Sequence, residues 1–284
     1  MRGMELRDRI CVVTGGASGI GRALCLRFAA EGARAVVVVD RDADGAVATA
    51  TSIGDVATPM TADVTVEADI EAVVDRTEAE IGAIDMFASN AGILGFGGLE
   101  ATDETWDLVW RVNVLAHLYA ARAVVPLMLE RGHGHLLNTA SAAGLLTQPG
   151  DAPYSVTKHA AVALAEWLSM TYGDRGIGVS CLCPMAVATA MLGMPADADE
   201  ASDVPRDLDA AAGAAAVQGI LPASAVADAA VTGLREGRFL ILPHPEVATF
   251  EQRRASDHDR WLAGMRRLNT ALAGGPPPAG PAVS

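Results

Sequence analysis

The chain has 284 residues, 51% hydrophobic, 20% charged and 4% aromatic, a balance that excludes disorder and supplies a full-sized core without disulfides or a structural metal. A formal net charge of −14 repels phosphate backbones and anionic lipid, so nucleic-acid and membrane-surface partners are not expected and a small-molecule partner is favoured. No apolar run approaches the roughly 18 residues of a bilayer span. Cys11, Cys25, Cys181 and Cys183 fit no zinc spacing, and the six histidines form no metal pattern, so no metal is expected and the thiols read as reduced core residues. With the charged opening MRGMELRDR, these features give the expectation of a soluble, cytoplasmic protein.

Short β-branched or apolar runs, each followed by an amphipathic stretch, mark seven strands. They are Ile10 to Val13, Ala35 to Val39, Ala57 to Met60, Ile84 to Ala88, His135 to Thr139, Val179 to Cys183 and Phe239 to Leu242. The runs lack polar alternation, as expected for strands covered by helices on both faces. The βα alternation predicts an α/β fold, a Rossmann-like doubly wound parallel sheet of about seven strands in a single domain spanning 1–273.

The first strand leads into Thr14-Gly15-Gly16-Ala17-Ser18-Gly19-Ile20-Gly21, which opens a helix running to Glu31 with Gly32 as its C-terminal cap. Glycines at 15, 19 and 21 let the backbone approach a pyrophosphate, and Ser18 and Ile20 offer N–H groups at the positive end of the helix dipole. The second strand ends on Asp40, where a carboxylate accepts hydrogen bonds from both adenosine ribose hydroxyls and repels a 2′-phosphate, favouring NAD over NADP. Arg41 beside it is the opposing signal, since a guanidinium clamps such a phosphate, but it reads better as a solvated surface arginine. After the third strand, Asp63 and Val64 stand where an adenine would stack, with Asp63 also fitting a helix N-cap.

Asn90-Ala91-Gly92 follows the fourth strand at the C-terminal edge, and Asn113 is a polar residue within the apolar helix Trp106 to Leu129. Ser141 ends the fifth strand at the same edge, thirteen residues before Tyr154. Tyr154 and Lys158 share one face of a helix started by Asp151 and Pro153, distinct from the expected main core face of Val156, Ala160, Ala163, Leu164 and Trp167. An ammonium beside a phenol lowers the phenol pKa and makes it a usable acid or base. Lys158 is also solitary: the other twenty basic residues are all arginine.

Between the sixth and seventh strands, residues 190–222 form a long Ala-rich insert with Asp197, Asp199, Glu200, Asp203, Asp207 and Asp209, which reads as a substrate loop or lid. Residues 246–273 carry Trp261, Leu262, Met265 and Leu268 at helical spacing. The Pro/Gly-rich tail 274–284 is expected to be disordered.

Taken together, these motifs resemble the short-chain dehydrogenase/reductase family, of the small single-domain type, over residues 6 to about 245. The resemblance rests on the T-G-x-x-x-G-x-G turn at Thr14 to Gly21, the N-A-G of Asn90 to Gly92, Asn113, Ser141, Tyr154 and Lys158. It implies that Ser141 binds the substrate oxygen, Tyr154 is the proton donor or acceptor, Lys158 lowers the tyrosine pKa and holds the nicotinamide ribose, and Asn113 positions a water. The family's Pro-Gly pair appears as Pro184-Met185, followed by Val187 and Thr189, which in relatives contact the nicotinamide amide. The implied activity is NAD-dependent interconversion of a secondary alcohol and a ketone by hydride transfer.

Leu94, Phe96, Leu145, Leu146, Met185, Met191, Leu192 and Met194 fall on segments that should surround the nicotinamide end and suit a hydrophobic substrate. Two other readings are a catalytically silent NAD-binding sensor or scaffold, and an NADPH-dependent ketoreductase of carrier-bound acyl groups. The first is opposed by the presence of all four catalytic residue types, the second by Asp40 and the acidic insert. The apolar helices carrying Asn113 and Tyr154 resemble those through which relatives associate, so a homotetramer or homodimer is expected.

Overall fold

The computed structural model describes residues 3–189, 191 and 219–272. Most of the acidic insert, including Leu192 and Met194, and the tail from residue 273 lie outside these. Seven parallel strands form one sheet: β1 (Ile10–Thr14), β2 (Ala35–Asp40), β3 (Ala57–Thr61), β4 (Met86–Ser89), β5 (Gly134–Thr139), β6 (Ile177–Leu182) and, at the far edge, β9 (Leu240–Ile241). The order β3-β2-β1-β4-β5-β6-β9 is that of a doubly wound sheet, as expected. Strand limits shift by a residue or two: β4 starts at Met86 rather than Ile84, and β6 starts earlier, at Ile177, and ends at Leu182. A two-stranded parallel element was not foreseen. In it β7 (Val187–Ala188) pairs with β8 (Leu221–Pro222), so the two ends of the acidic insert meet.

The unbroken apolar runs are explained by burial on both faces. Val12, Val37, Phe87 and Leu136 face α3 (Glu67–Glu80), α5 (Ala116–Arg131) and α7 (Ala152–Tyr172), packing against Val73, Val124, Met128 and Ala161. Val13, Val36, Val38 and Met86 face α1 (Gly19–Ala30) and α8 (Ala223–Arg235), packing against Leu24, Phe28 and Val231. Full burial of side chains such as Leu24 and Phe28 contributes about 2 kcal/mol each. The four cysteines are free and buried in these layers.

The expected helix Trp106 to Leu129 is in fact α4 (Asp103–Trp110), a π-helical turn at Arg111–Leu115 and α5 in one continuous stretch. Within that stretch, Asp103–Arg131, the most apolar 18-residue window has a mean hydropathy of 1.5, enough for a membrane span, which corrects the expectation that no such run exists. Over half of its most apolar window is buried inside the fold, as a core helix requires.

Beyond β9 the chain adds α9 (Glu246–Ser256) and α10 (His258–Leu272). Trp261, Met265 and Leu268 of α10 turn inward, whereas Leu262, expected to share their face, is exposed.

Candidate active site

Between β1 and β4 the strand order reverses, and a crevice opens at the C-terminal edge of the sheet. A cavity of about 930 Å³ occupies it. Gly15, Ser18, Gly19, Ile20 and Gly21 line one end, with Asp40, Arg41, Asp63 and Val64; Asn90, Ala91 and Gly92 come from the β4 end, and Ser141, Tyr154, Lys158, Pro184, Met185, Val187 and Thr189 complete the centre. The sequence-predicted residues therefore converge on one cavity, with Asn113 just behind its wall and Leu145 as the exceptions. Leu145 is buried in the core between sheet and helices; its neighbour Leu146 lines the cavity in its place, with Leu94, Phe96 and Met191.

The glycine turn has the build of an anion cradle. Gly15 and Gly19 adopt φ of +69° and +51°, which side-chain-bearing residues rarely take. A Cβ at Gly21 would collide with the Gly15 carbonyl oxygen and crowd Asn90 Nδ2. Ser18 caps α1 without spending its hydroxyl on the helix, leaving that group and the helix N–H groups facing the cavity. Asn90 fixes the turn from below, its Nδ2 donating to the Thr14 carbonyl at 3.1 Å. Thr189 closes it from above, its methyl packed on Gly19. The turn thus fits a dinucleotide pyrophosphate.

Asp40 is half-buried, and its carboxylate already accepts two backbone hydrogen bonds, from Ala17 N–H at 3.0 Å and Asp42 N–H at 3.0 Å. It braces the glycine turn as well as facing the cavity. Asp63 is not a helix cap: its Oδ1 accepts from Thr65, while Val66 occupies the cap position of α3.

On the substrate side, α7 starts as the sequence implied, with Asp151 accepting from Tyr154 N–H at 2.9 Å. The same buried carboxylate holds the loop after β4 by accepting from Gly95 N–H at 3.0 Å and Phe96 N–H at 2.9 Å. That role was invisible in the sequence, because it joins segments more than fifty residues apart. It also sustains Phe96 at φ +50° on the cavity wall. The two faces of α7 are reversed from expectation. Tyr154 and Lys158 are on the buried face, whereas Val156 and Trp167 are about half exposed.

Lys158 is 2% exposed; its Nζ donates to the Thr139 carbonyl at 3.0 Å and lies 5.6 Å from the Tyr154 ring centre. Burial pulls the Lys158 pKa down to about 8. Burial likewise pushes the Tyr154 phenol up to about 12, with the Ser141 hydroxyl pulling it partly back. The phenol is thus raised rather than lowered, the reverse of the expectation, because burial is the largest influence on it. Ser141 Oγ accepts from Ala143 N–H at 3.1 Å and donates to the Pro184 carbonyl at 3.4 Å.

Asn113 sits in the π-turn, fully satisfied: Oδ1 accepts from Ile93 N–H at 3.0 Å, and Nδ2 donates to the Ile93 carbonyl at 2.9 Å and Thr157 Oγ1 at 3.1 Å. A π-turn is costly unless something repays it, and here it aims this side chain at the segment beside Lys158. Met185 takes the place of the expected glycine without adopting a positive φ, and its N–H donates to His244 Nδ1 at 3.2 Å. Sequence reasoning missed the wall formed by Phe250, Arg253, Trp261, Met265 and Leu268. The helical spacing of the last three was visible, but nothing local tied it to the cavity.

Residues 9–200 match the short chain dehydrogenase family model, and the chain belongs to that family. A 1-deoxy-11-beta-hydroxypentalenate dehydrogenase of Streptomyces exfoliatus is 42% identical over 196 residues, 66% of this chain and 71% of that protein. A 2-(S)-hydroxypropyl-CoM dehydrogenase of Xanthobacter autotrophicus is 36% identical over 66% of this chain and 75% of that protein. Among solved structures, a short chain dehydrogenase/reductase from Burkholderia phymatum in complex with NAD superposes with a TM-score of 0.76 at 29% identity, covering 99% of this chain and all of that one. The chain is accordingly an NAD(P)-dependent oxidoreductase that interconverts a secondary alcohol and a ketone.

Proposed function

We propose that this enzyme prefers NAD and oxidises or reduces a hydrophobic substrate, with Tyr154 as the acid or base. The observation that carries the reading is the single cavity joining the glycine turn and Asp40 at one end to Ser141, Tyr154 and Lys158 at its centre. When bound, the nicotinamide supplies hydride acceptance and donation. Gly15, Gly19 and Gly21 admit the pyrophosphate to the α1 N-terminus, Ser18 and the N–H of Ile20 bond it, and Asp40 receives the adenosine ribose. Asp63, Val64, Asn90, Ala91 and Gly92 line the path between the adenine and nicotinamide ends, and Pro184, Val187 and Thr189 meet the carboxamide. Arg41 reads as a surface cation, since Asp40 repels the phosphate it would otherwise clamp.

Ser141 holds the substrate oxygen and Tyr154 exchanges its proton. Lys158 stabilises the phenolate left when Tyr154 gives that proton up, and Asn113 orients the Ile93 backbone and any water beside Lys158. Leu94, Phe96, Leu146, Met185 and Met191 give the substrate end its apolar character. The half-exposed Val156 and Trp167 and the exposed Met170 on α7 support a homodimer or homotetramer built through that face. The free buried thiols support a reducing, cytoplasmic setting.

The test is a screen of NAD and NADP reduction by the purified protein against linear, alicyclic and steroidal secondary alcohols, with sugars as controls. NAD-linked turnover of apolar alcohols is expected. Activity confined to sugars, or equal turnover with NADP, would overturn the corresponding part of the proposal.

A further inference from the structure

The charged side chains on the cavity wall are few and unevenly placed. Asp40, Arg41 and Asp63 stand at the β2 and β3 end, Lys158 stands at the catalytic centre, and Arg253 is the one that remains among the described residues. Its surroundings are apolar: Phe250 on the same helix, and Trp261, Met265 and Leu268 one face of the next. The Phe250 ring lies 6.0 Å from the guanidinium carbon, so the ring face supports the cation without neutralising it. No carboxylate among the described residues pairs with Arg253, although the other pocket-side guanidinium, Arg41, has Asp40 next to it in the chain.

The helix that presents Arg253 is tied to the reaction centre. α9 packs on the short helix α6 (Ala143–Leu146), which begins two residues after Ser141. Both α9 and α10 lie beyond residues 9–200, the part that matches the family model. The charge is also unusual for the molecule. Within a chain of net −14, the segment Glu246–Leu272 carries five arginines against four carboxylates.

We propose that Arg253 anchors a carboxylate at the far end of the substrate, whose apolar body lies along Trp261, Met265 and Leu268 and whose hydroxyl or carbonyl reaches Ser141 and Tyr154. The substrates are thereby amphipathic hydroxy acids and their oxo counterparts. A guanidinium suits the task because its fork bonds a carboxylate through two parallel N–H···O contacts, and its charge does not titrate. This assignment rests on the dehydrogenase reading above and adds a specificity determinant to it.

The test compares hydroxyoctanoate, hydroxydecanoate and hydroxydodecanoate, each bearing the hydroxyl on the penultimate carbon, with their methyl esters, using the full-length protein and NAD. For the chain length that spans the cavity, kcat/KM is expected to be roughly tenfold higher for the acid than for its ester, a modest factor because Arg253 is exposed to solvent. Arg253→Gln should raise KM for the acid by about that factor, bringing the acid and ester values of kcat/KM close together, and be partly rescued in Arg253→Lys. Arg254→Gln, which alters a neighbour off the cavity wall, should change neither. Equal handling of acid and ester by the unmodified enzyme, or an equal loss on both in Arg253→Gln, overturns the anchor. If no alcohol is turned over, the dehydrogenase reading fails separately. Calorimetric binding of dodecanoate then decides the anion site, which stands if Arg253→Gln weakens binding and falls if binding is absent or unchanged.

Discussion

The half of the molecule from β1 to Gly92 and the half from Ser141 onward make their sites by different means. In the first, the backbone does most of the work: two glycines at positive φ, a helix N-terminus with an unspent Ser18 hydroxyl, and an Asp40 carboxylate that bonds Ala17 N–H. In the second, side chains from distant segments are held together by buried polar contacts, chiefly Asp151 to the Gly95-Phe96 loop and Lys158 to the Thr139 carbonyl. A site made by backbone tolerates few residue types but is compact in sequence. A site made by side chains is spread along the chain, and the positions that support it carry no local mark.

This contrast is broken most severely at Gly21. Gly21→Ala places a methyl against the Gly15 carbonyl oxygen and Asn90 Nδ2, so the turn must open. Titration of NADH fluorescence is expected to show affinity reduced by about a hundredfold or more, with stability lowered by about 1–3 kcal/mol. Unchanged NADH binding would mean that the turn is not the pyrophosphate cradle.

Lys158 sharpens the comparison because its two effects have opposite signs. Lys158→Arg should keep the charge but lose most turnover at neutral pH, with weaker NAD binding, since the larger planar group does not fit a site where Nζ reaches the Thr139 carbonyl. Lys158→Met should abolish activity yet raise the melting temperature at neutral pH. The sign follows from burial lowering the pKa from 10.5 to about 8: the unfolded chain binds the proton more tightly, so the lysine's destabilising effect is full below about pH 8 and fades as pH rises toward 10.5. Thermal unfolding of the two proteins from pH 7 to above pH 10 should therefore show the gap closing, and a gap that widens would contradict the assignment.

Asp40→Ala should narrow the preference for NAD over NADP by roughly tenfold, mainly by weakening NAD, and should loosen the turn because Ala17 N–H loses its acceptor. Both are read from steady-state KM values with each cofactor. The smallest effect is expected at Trp261→Ala, which removes cavity wall without touching the glycine turn. It should raise KM for apolar alcohols several-fold and leave NADH binding as it is.

The same contrast explains what could be read from the sequence. The seven strands, their parallel order and the converging residues Gly15 to Gly21, Asp40, Asn90, Ser141, Tyr154 and Lys158 follow from local runs and short spacings. The π-turn at Asn113 was not legible, since Arg111–Leu115 reads as ordinary helix and the extra residue per turn is imposed by the Ile93 and Thr157 contacts. Nor was the burial of the Tyr154 face, because Val156, Ala160 and Trp167 are as apolar as a core stripe. The direction of the tyrosine shift failed for a related reason: spacing showed an ammonium near a phenol but not that both are buried. Leu145 and Leu146 are adjacent and chemically alike, and only the path of α6 decides which one faces the cavity.

The two halves meet at Tyr154, and the division between holding the dinucleotide and moving the proton is tested there most directly. NADH binding and alcohol turnover should be measured on one preparation of Tyr154→Phe. The phenyl ring preserves the packing of α7 and leaves the glycine turn untouched, so NADH affinity should stay within about twofold while turnover falls by a thousandfold or so. Turnover near the unmodified rate would contradict Tyr154 as the proton-transfer group, and a parallel loss of NADH affinity would contradict the separation of the two halves.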